Sequence, residues 1–164
     1  MAVSKQVYRE AMARLGAAVN VVTSDGPGGR CGFTASAVCS VTDSPPTLLV
    51  CVNRTNDSYP PLKVNGVLCV NTLAGGQEDL SAIFAGLTED DASTRFNSGV
   101  WNRLETGAPV LTDATVAFDC RITESVEIGT HTVFFAEVEA IQVGDAREAL
   151  IYFGRMYHRL AQQA

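Results

Sequence analysis

Residues 32–53 read GFTASAVCSVTDSPPTLLVCVN, and their reading decides the fold. Two apolar, β-prone runs flank Pro45 and Pro46, a pattern of two strands and a connection, where proline does least harm to a ladder. The first run is crowded with Thr, Ala, Ser and Cys, where an ordinary core strand carries larger side chains. Simple alternation puts Thr34, Ser36 and Ser40 on one side and Ala35, Ala37 and Cys39 on the other. Such short side chains have two readings. Either the strand packs tightly against a neighbour, in a dense barrel or at a subunit interface, or a flat ligand approaches its backbone.

The flanking sequence extends the β pattern. Before it, Ser4 is a good N-cap, and Val7, Tyr8, Ala11, Met12 and Leu15 recur at helical spacing until Gly16. A strand at 18–24 and a tight turn at 25–30 follow. After it come a strand at 66–73, a helix at 75–86 and a polar excursion at 87–110. Three further apolar segments then occupy 114–129, 131–144 and 149–160. The middle one alternates Val133, Phe135, Glu137, Glu139 and Ile141 against Phe134, Ala136, Val138, Ala140 and Gln142. Six or seven strands with two or three helices, and no repeated β-helix-β alternation, predict a mainly β fold: an antiparallel, Greek-key-like barrel with flanking helices, one domain over 1–164.

Composition narrows the function. The chain has 164 residues, 46% of them hydrophobic and 18% charged, with a net charge of −6, which argues against a nucleic-acid or anionic-membrane surface. Five scattered cysteines with no C-x-x-C pair read as reduced, buried thiols of a cytoplasmic protein rather than a disulfide framework or a metal site. No apolar signal core and no membrane-length run is present. Hydrolase, metalloprotease, P-loop and EF-hand signatures are missing, and two histidines are too few for a His-built metal site. The lack of acid–base machinery fits a reaction whose hard chemistry belongs to a bound cofactor.

YREAMARLGAAVNVVTSDG (8–26), GFTASAVCSVTDSPPTLLVCVNR (32–54), LCVNTL (68–73), FAG (84–86), FDCRI (118–122), GTH (129–131) and LIYFGRMYH (150–158) come in an order that resembles the short-chain flavin reductases over nearly the whole chain. These are reductase components of two-component monooxygenases, built on an FMN-binding split β-barrel; the likeness is nearest to those of the pyrimidine-utilisation and 4-hydroxyphenylacetate systems. The resemblance implies an NADH-dependent FMN reductase, with FAD as the alternative flavin, that is a homodimer and passes reduced flavin to a separate oxygenase. Other outcomes on this scaffold are tightly bound FMN serving another acceptor, such as a corrinoid, and a non-enzymatic flavin or haem binder.

The same resemblance implies residue roles. Thr34, Ala35, Ser36, Ala37 and Val38 would line the flavin, with Ser40 near its reactive edge. Cys51, Val52, Asn53 and the loop through Ser58 would meet the ribityl chain and phosphate, and Phe84, Ala85 and Gly86 would close over the phosphate end. Arg54 and Lys63 are either phosphate partners or solvated charges. His131 would face the nicotinamide, and Tyr152, Arg155 and His158 would bind the pyridine nucleotide.

Overall fold

The computed structural model describes residues 2–145 and 148–162. It opens with α1 (Lys5–Met12), where Ser4 Oγ accepts from the Val7 N–H at 3.2 Å. Short β1 (Ala17–Ala18) and β2 (Asn20–Ser24) follow, and the 25–30 turn leads into β3 (Cys31–Ala35). The expected continuous strand over 32–41 is broken. After β3 the chain turns at Ser36 and Ala37 and starts β4 (Val38–Asp43), which pairs with β5 (Pro46–Asn53) rather than continuing beside β2. Thr34 and Ser40 therefore lie on different strands and share no face, contrary to simple alternation.

Helix α2 (Tyr59–Asn65) follows the loop expected to run through Ser58, in a stretch to which the sequence reading assigns no element. Two prolines sit in its first turn, where their missing N–H groups would have been unpaired anyway, and Gly66 ends it with φ 67°. β6 (Val67–Thr72) and α3 (Glu78–Phe84) come next. The polar excursion holds a 3-10 turn at Arg95–Asn97 and the small pair β7 (Trp101–Arg103) and β8 (Pro109–Leu111). Two long strands, β9 (Val116–Ile128) and β10 (His131–Val143), form an antiparallel ribbon, and β11 (Glu148–Phe153) and β12 (Met156–Ala161) close the chain as a hairpin.

The main sheet runs β3-β2-β6-β9-β10-β5-β4, every pair antiparallel. Its two outer strands, β3 and β4, are consecutive in the chain. Phe33 from one end and Val50 and Val52 from near the other pack in one core with Val22, Leu68, Val70 and Phe134, so the sheet rolls around that core. The Ser36–Ala37 crossing spans the seam. On β10, Thr132, Phe134 and Ala136 point inward, as the alternation predicts. A second core, outside the barrel, joins Val19, Val21, Leu73, Phe84, Phe96 and Leu111, with Phe84 against Phe96 edge-on at 5.1 Å. This is the split, antiparallel barrel the sequence predicts.

Part of the apolar surface stays outside the cores. No residue of α1 is buried, and Val7, Tyr8, Met12 and Leu15 are all exposed. All five cysteines are free, but only Cys31, Cys69 and Cys120 are buried; Cys39 is exposed and Cys51 half-buried, because both lie on the outer face of the β4–β5 pair. Among the described residues no helix is long and apolar enough to cross a membrane.

Candidate active site

At the seam lies a groove of about 1010 Å³. Its floor is Ala37 and Cys39 of the crossing and β4 with Leu49 and Cys51 of β5, and the Cys51 N–H donates to the Ala37 carbonyl at 3.0 Å. Arg9, Met12 and Leu15 form one wall, and Tyr152 and Arg155 of the β11–β12 hairpin close the end. Ser36 and Ala37 are exposed and carry almost no side chain, so a planar group can lie against the backbone there. A smaller pocket of about 210 Å³ continues past Ser36 and Tyr152, between Thr34, Ala35, Ser81, Ala85 and Tyr157.

Tyr152 and Tyr157 stand opposite each other across the hairpin, ring centroids 5.4 Å apart, and Tyr157 Oη lies 2.9 Å from Ser81 Oγ. The Thr34 hydroxyl donates to the Ser81 carbonyl at 2.7 Å. The hairpin turn carries φ 60° at Gly154 and φ 62° at Arg155, the left-handed region in which a non-glycine residue is strained. The guanidinium of Arg155 is presented at the mouth from that turn.

The structure thus brings together Thr34, Ala35, Ser36, Ala37, Val38, Cys51, Ala85, Tyr152 and Arg155. Others of the implied set lie elsewhere. Val52 is buried on the opposite face of β5, and Phe84 is sealed in the outer core, so neither side chain reaches the groove. Ser40 alternates to the face opposite Cys39 and is exposed on β4. Ser58 is buried, its hydroxyl donating to the Gly32 carbonyl at 3.1 Å, and Asn53 turns its carboxamide oxygen to the Thr55 N–H at 3.0 Å. Gly86, with φ 72°, follows α3 beside the Arg95 side chain.

His131 is exposed at the tip of the β9–β10 ribbon, its Nδ1 2.9 Å from Thr130 Oγ1, outside the groove lining of one chain. His158 faces away from Tyr152, its ring against Phe153 at 5.9 Å and Nε2 3.0 Å from the Phe153 carbonyl. Arg54 is engaged by Glu127 at 2.6 Å and by the Gly129 carbonyl, while Lys63 lies over the Tyr59 ring at 6.0 Å. Sequence reasoning missed Arg9, Met12, Leu49 and Tyr157. The clue for the first two was an amphipathic α1 whose apolar side the core did not need.

Two kinds of comparison bear on the site. The family model described as flavin reductase like domain matches residues 12–161. The FMN reductase (NADH) RutF of Ancylobacter novellus is 59% identical over 160 residues, 98% of this chain and 87% of that protein. Among solved structures, YcdH of Haemophilus somnus 129PT superposes with a TM-score of 0.92 at 46% identity, covering 96% of this chain and 100% of that one. BorF, the flavin reductase component of a bacterial two-component tryptophan halogenase, gives 0.89 at 27% identity, with 98% and 100% covered.

Proposed function

The chain belongs to the flavin reductase like domain family, and on that premise we propose that the seam groove binds FMN and NADH and that the protein is an NADH-dependent FMN reductase. The observation that carries the reading is the Ser36–Val38 crossing: a stretch of backbone with minimal side chains, laid open along a groove and continuous with an aromatic and cationic end at Tyr152 and Arg155. FMN, when bound, supplies the two-electron acceptor for the hydride of NADH. The residues fit that group, because Ser36 and Ala37 are exposed and their short side chains leave a flat slot for a heteroaromatic ring.

What this chain contributes is position. The β4–β5 floor holds one ring plane, and Tyr152 and Arg155 with Arg9 hold the pyridine nucleotide over it. Arg9 and Arg155 have no carboxylate partner at ion-pair distance among the described residues, which leaves both available to an anionic dinucleotide. Stacking two rings in reacting distance converts an encounter in solution into an intramolecular step and needs no protein acid or base. That accounts for a groove with neither a histidine nor a carboxylate in its lining.

Reduced flavin then leaves for a separate oxygenase component. The protein works in the cytoplasm as a homodimer, with the exposed apolar residues of α1 and the ribbon tip carrying His131 as the surfaces a second copy covers. NADH oxidation in air, with and without added FMN and beside the visible spectrum of the purified protein, tests the function. Turnover that depends on added FMN, from a nearly colourless protein, is the expected result. A yellow protein that ignores added flavin points to a prosthetic group and another acceptor, and no NADH oxidation at all defeats the enzyme reading.

A further inference from the structure

Resting on the FMN reading, we propose that Tyr157, held by Ser81, is a positioning residue for hydride transfer. It sets the hairpin that takes the nucleotide at a fixed distance from the crossing that takes the flavin. The two halves of the site belong to different sheets. Thr34 and Ala35 end β3, an outer strand of the main sheet, whereas Tyr152 lies on β11 of the three-stranded sheet β1-β11-β12, with Arg155 in the turn that follows. Reacting rings must meet within about 3–3.5 Å, and a misplacement of about 1 Å costs on the order of a hundredfold in rate. One sheet must therefore be held to the other close to the groove.

The backbone does this poorly at the hairpin tip. β11 is bonded further back, where the Val19 N–H donates to the Leu150 carbonyl at 3.0 Å and the Leu150 N–H to the Leu73 carbonyl at 3.1 Å. Nearer the tip its partners are β1, at Ala17 and Ala18, and the end of α1, where the Gly154 N–H donates to the Ala13 carbonyl at 2.8 Å. None of these bonds reaches β3, and Phe153 and Met156 at the tip are exposed.

A side-chain relay supplies the link. The Thr34 hydroxyl donates to the Ser81 carbonyl at 2.7 Å, and Ser81 Oγ lies 2.9 Å from Tyr157 Oη. The Tyr157 ring then stands against Tyr152, centroids 5.4 Å apart and planes inclined at 61°. Ser81 is fully buried on α3, whose Leu80 and Phe84 sit in the outer core, so its hydroxyl is a close-packed anchor. Tyr157 is the one hydrogen-bond partner of that hydroxyl among the described residues. Thr34, Ser81, Tyr152 and Tyr157 all line the smaller pocket, which shares Ser36 and Tyr152 with the groove. The relay thus runs along the boundary between the places of the two substrates, and Tyr152 is the residue through which Tyr157 acts.

The test uses Tyr157→Phe, which keeps the ring and removes the hydroxyl, together with Ser81→Ala and the double variant. kcat and both KM values are measured with NADH and with NADH deuterated at C4, and amide exchange across β11 and β12 is followed in the flavin-free protein. Each single variant should lower kcat about tenfold, enlarge the isotope effect and speed exchange at the hairpin tip, with the KM for FMN unchanged. The double should lose no more than the worse single, because the two hydroxyls act as one bond. A lower melting temperature with unchanged kcat and isotope effect would make the bond merely structural and overturn the assignment. So would losses that add in the double, or a rise in the KM for FMN at constant kcat, which would mean that the pocket hydroxyls touch the flavin themselves. A wild type that oxidises no NADH with FMN, its hairpin exchange still slowed by the Ser81–Tyr157 bond, overturns the FMN reading rather than the bond.

Discussion

The Cys51 N–H donates to the Ala37 carbonyl at 3.0 Å, so the crossing between the two outer strands of the barrel is held to β5 before β4 begins. This ties Ala37 to β5 and sets it in the groove floor. Ala37→Leu therefore adds bulk inside the groove. FMN-dependent NADH oxidation should fall at least about tenfold through a raised KM for FMN, while stability stays within about 0.5 kcal/mol because the residue is solvent-facing. Steady-state kinetics and a thermal melt decide it; an unaffected KM would place the ring elsewhere.

How much of this was legible beforehand depends on the kind of signal. The strands of the barrel were readable because β10 alternates cleanly and its inward residues Thr132, Phe134 and Ala136 are core. The break at Ser36–Ala37 was not, since a strand that changes partner keeps the same β-prone composition and only tertiary pairing shows the change. Helix α2 was not assigned; its Pro60–Pro61 pair sits in the first helical turn, where the missing N–H groups cost nothing. The groove residues near the crossing came from the resemblance to a family, and most of them do line it.

Arg155 offers a clean substitution. Both turn residues of the β11–β12 hairpin have positive φ, and glycine adopts that conformation without the cost borne by a side chain, about 1 kcal/mol. Arg155→Gly thus deletes the guanidinium and keeps or slightly raises stability. The KM for NADH should rise severalfold, with FMN affinity unchanged. Kinetics with each substrate varied in turn would check this, and a variant with wild-type NADH dependence would remove Arg155 from the nucleotide site.

Asn71 ties the barrel to the excursion. It is fully buried; its Nδ2 donates to the Val21 carbonyl at 3.0 Å and its Oδ1 accepts from the Leu111 N–H at 2.7 Å. Asn71→Ala leaves a buried donor and a buried acceptor unpaired across two elements, which should cost about 2–4 kcal/mol. Urea unfolding would read this directly. A loss below about 1 kcal/mol would mean that water or a repacked β8 replaces the carboxamide.

The buried thiols set a limit at high pH. Burial pushes the Cys120 thiol up to about 12, with Asp119 adding to it, and burial with Asp25 nearby raises Cys31 to about 11; Cys69 is raised in the same direction. Below pH 9 these groups are protonated in both the folded and unfolded chain and contribute no pH dependence. Above pH 9 the unfolded chain releases protons that the fold retains, so stability must fall as pH rises, from 9 towards 11 for Cys31 and towards 12 for Cys120. The slope is at most about 1.4 kcal/mol per pH unit for each thiol. Cys31→Ala and Cys120→Ala should each lower stability at pH 8 through a small cavity, yet each should flatten the decline between pH 9 and 10.5. Chemical denaturation of wild type and variants at both pH values, in reducing buffer, compares the slopes; parallel declines would show that these thiols are not what the alkaline loss reports.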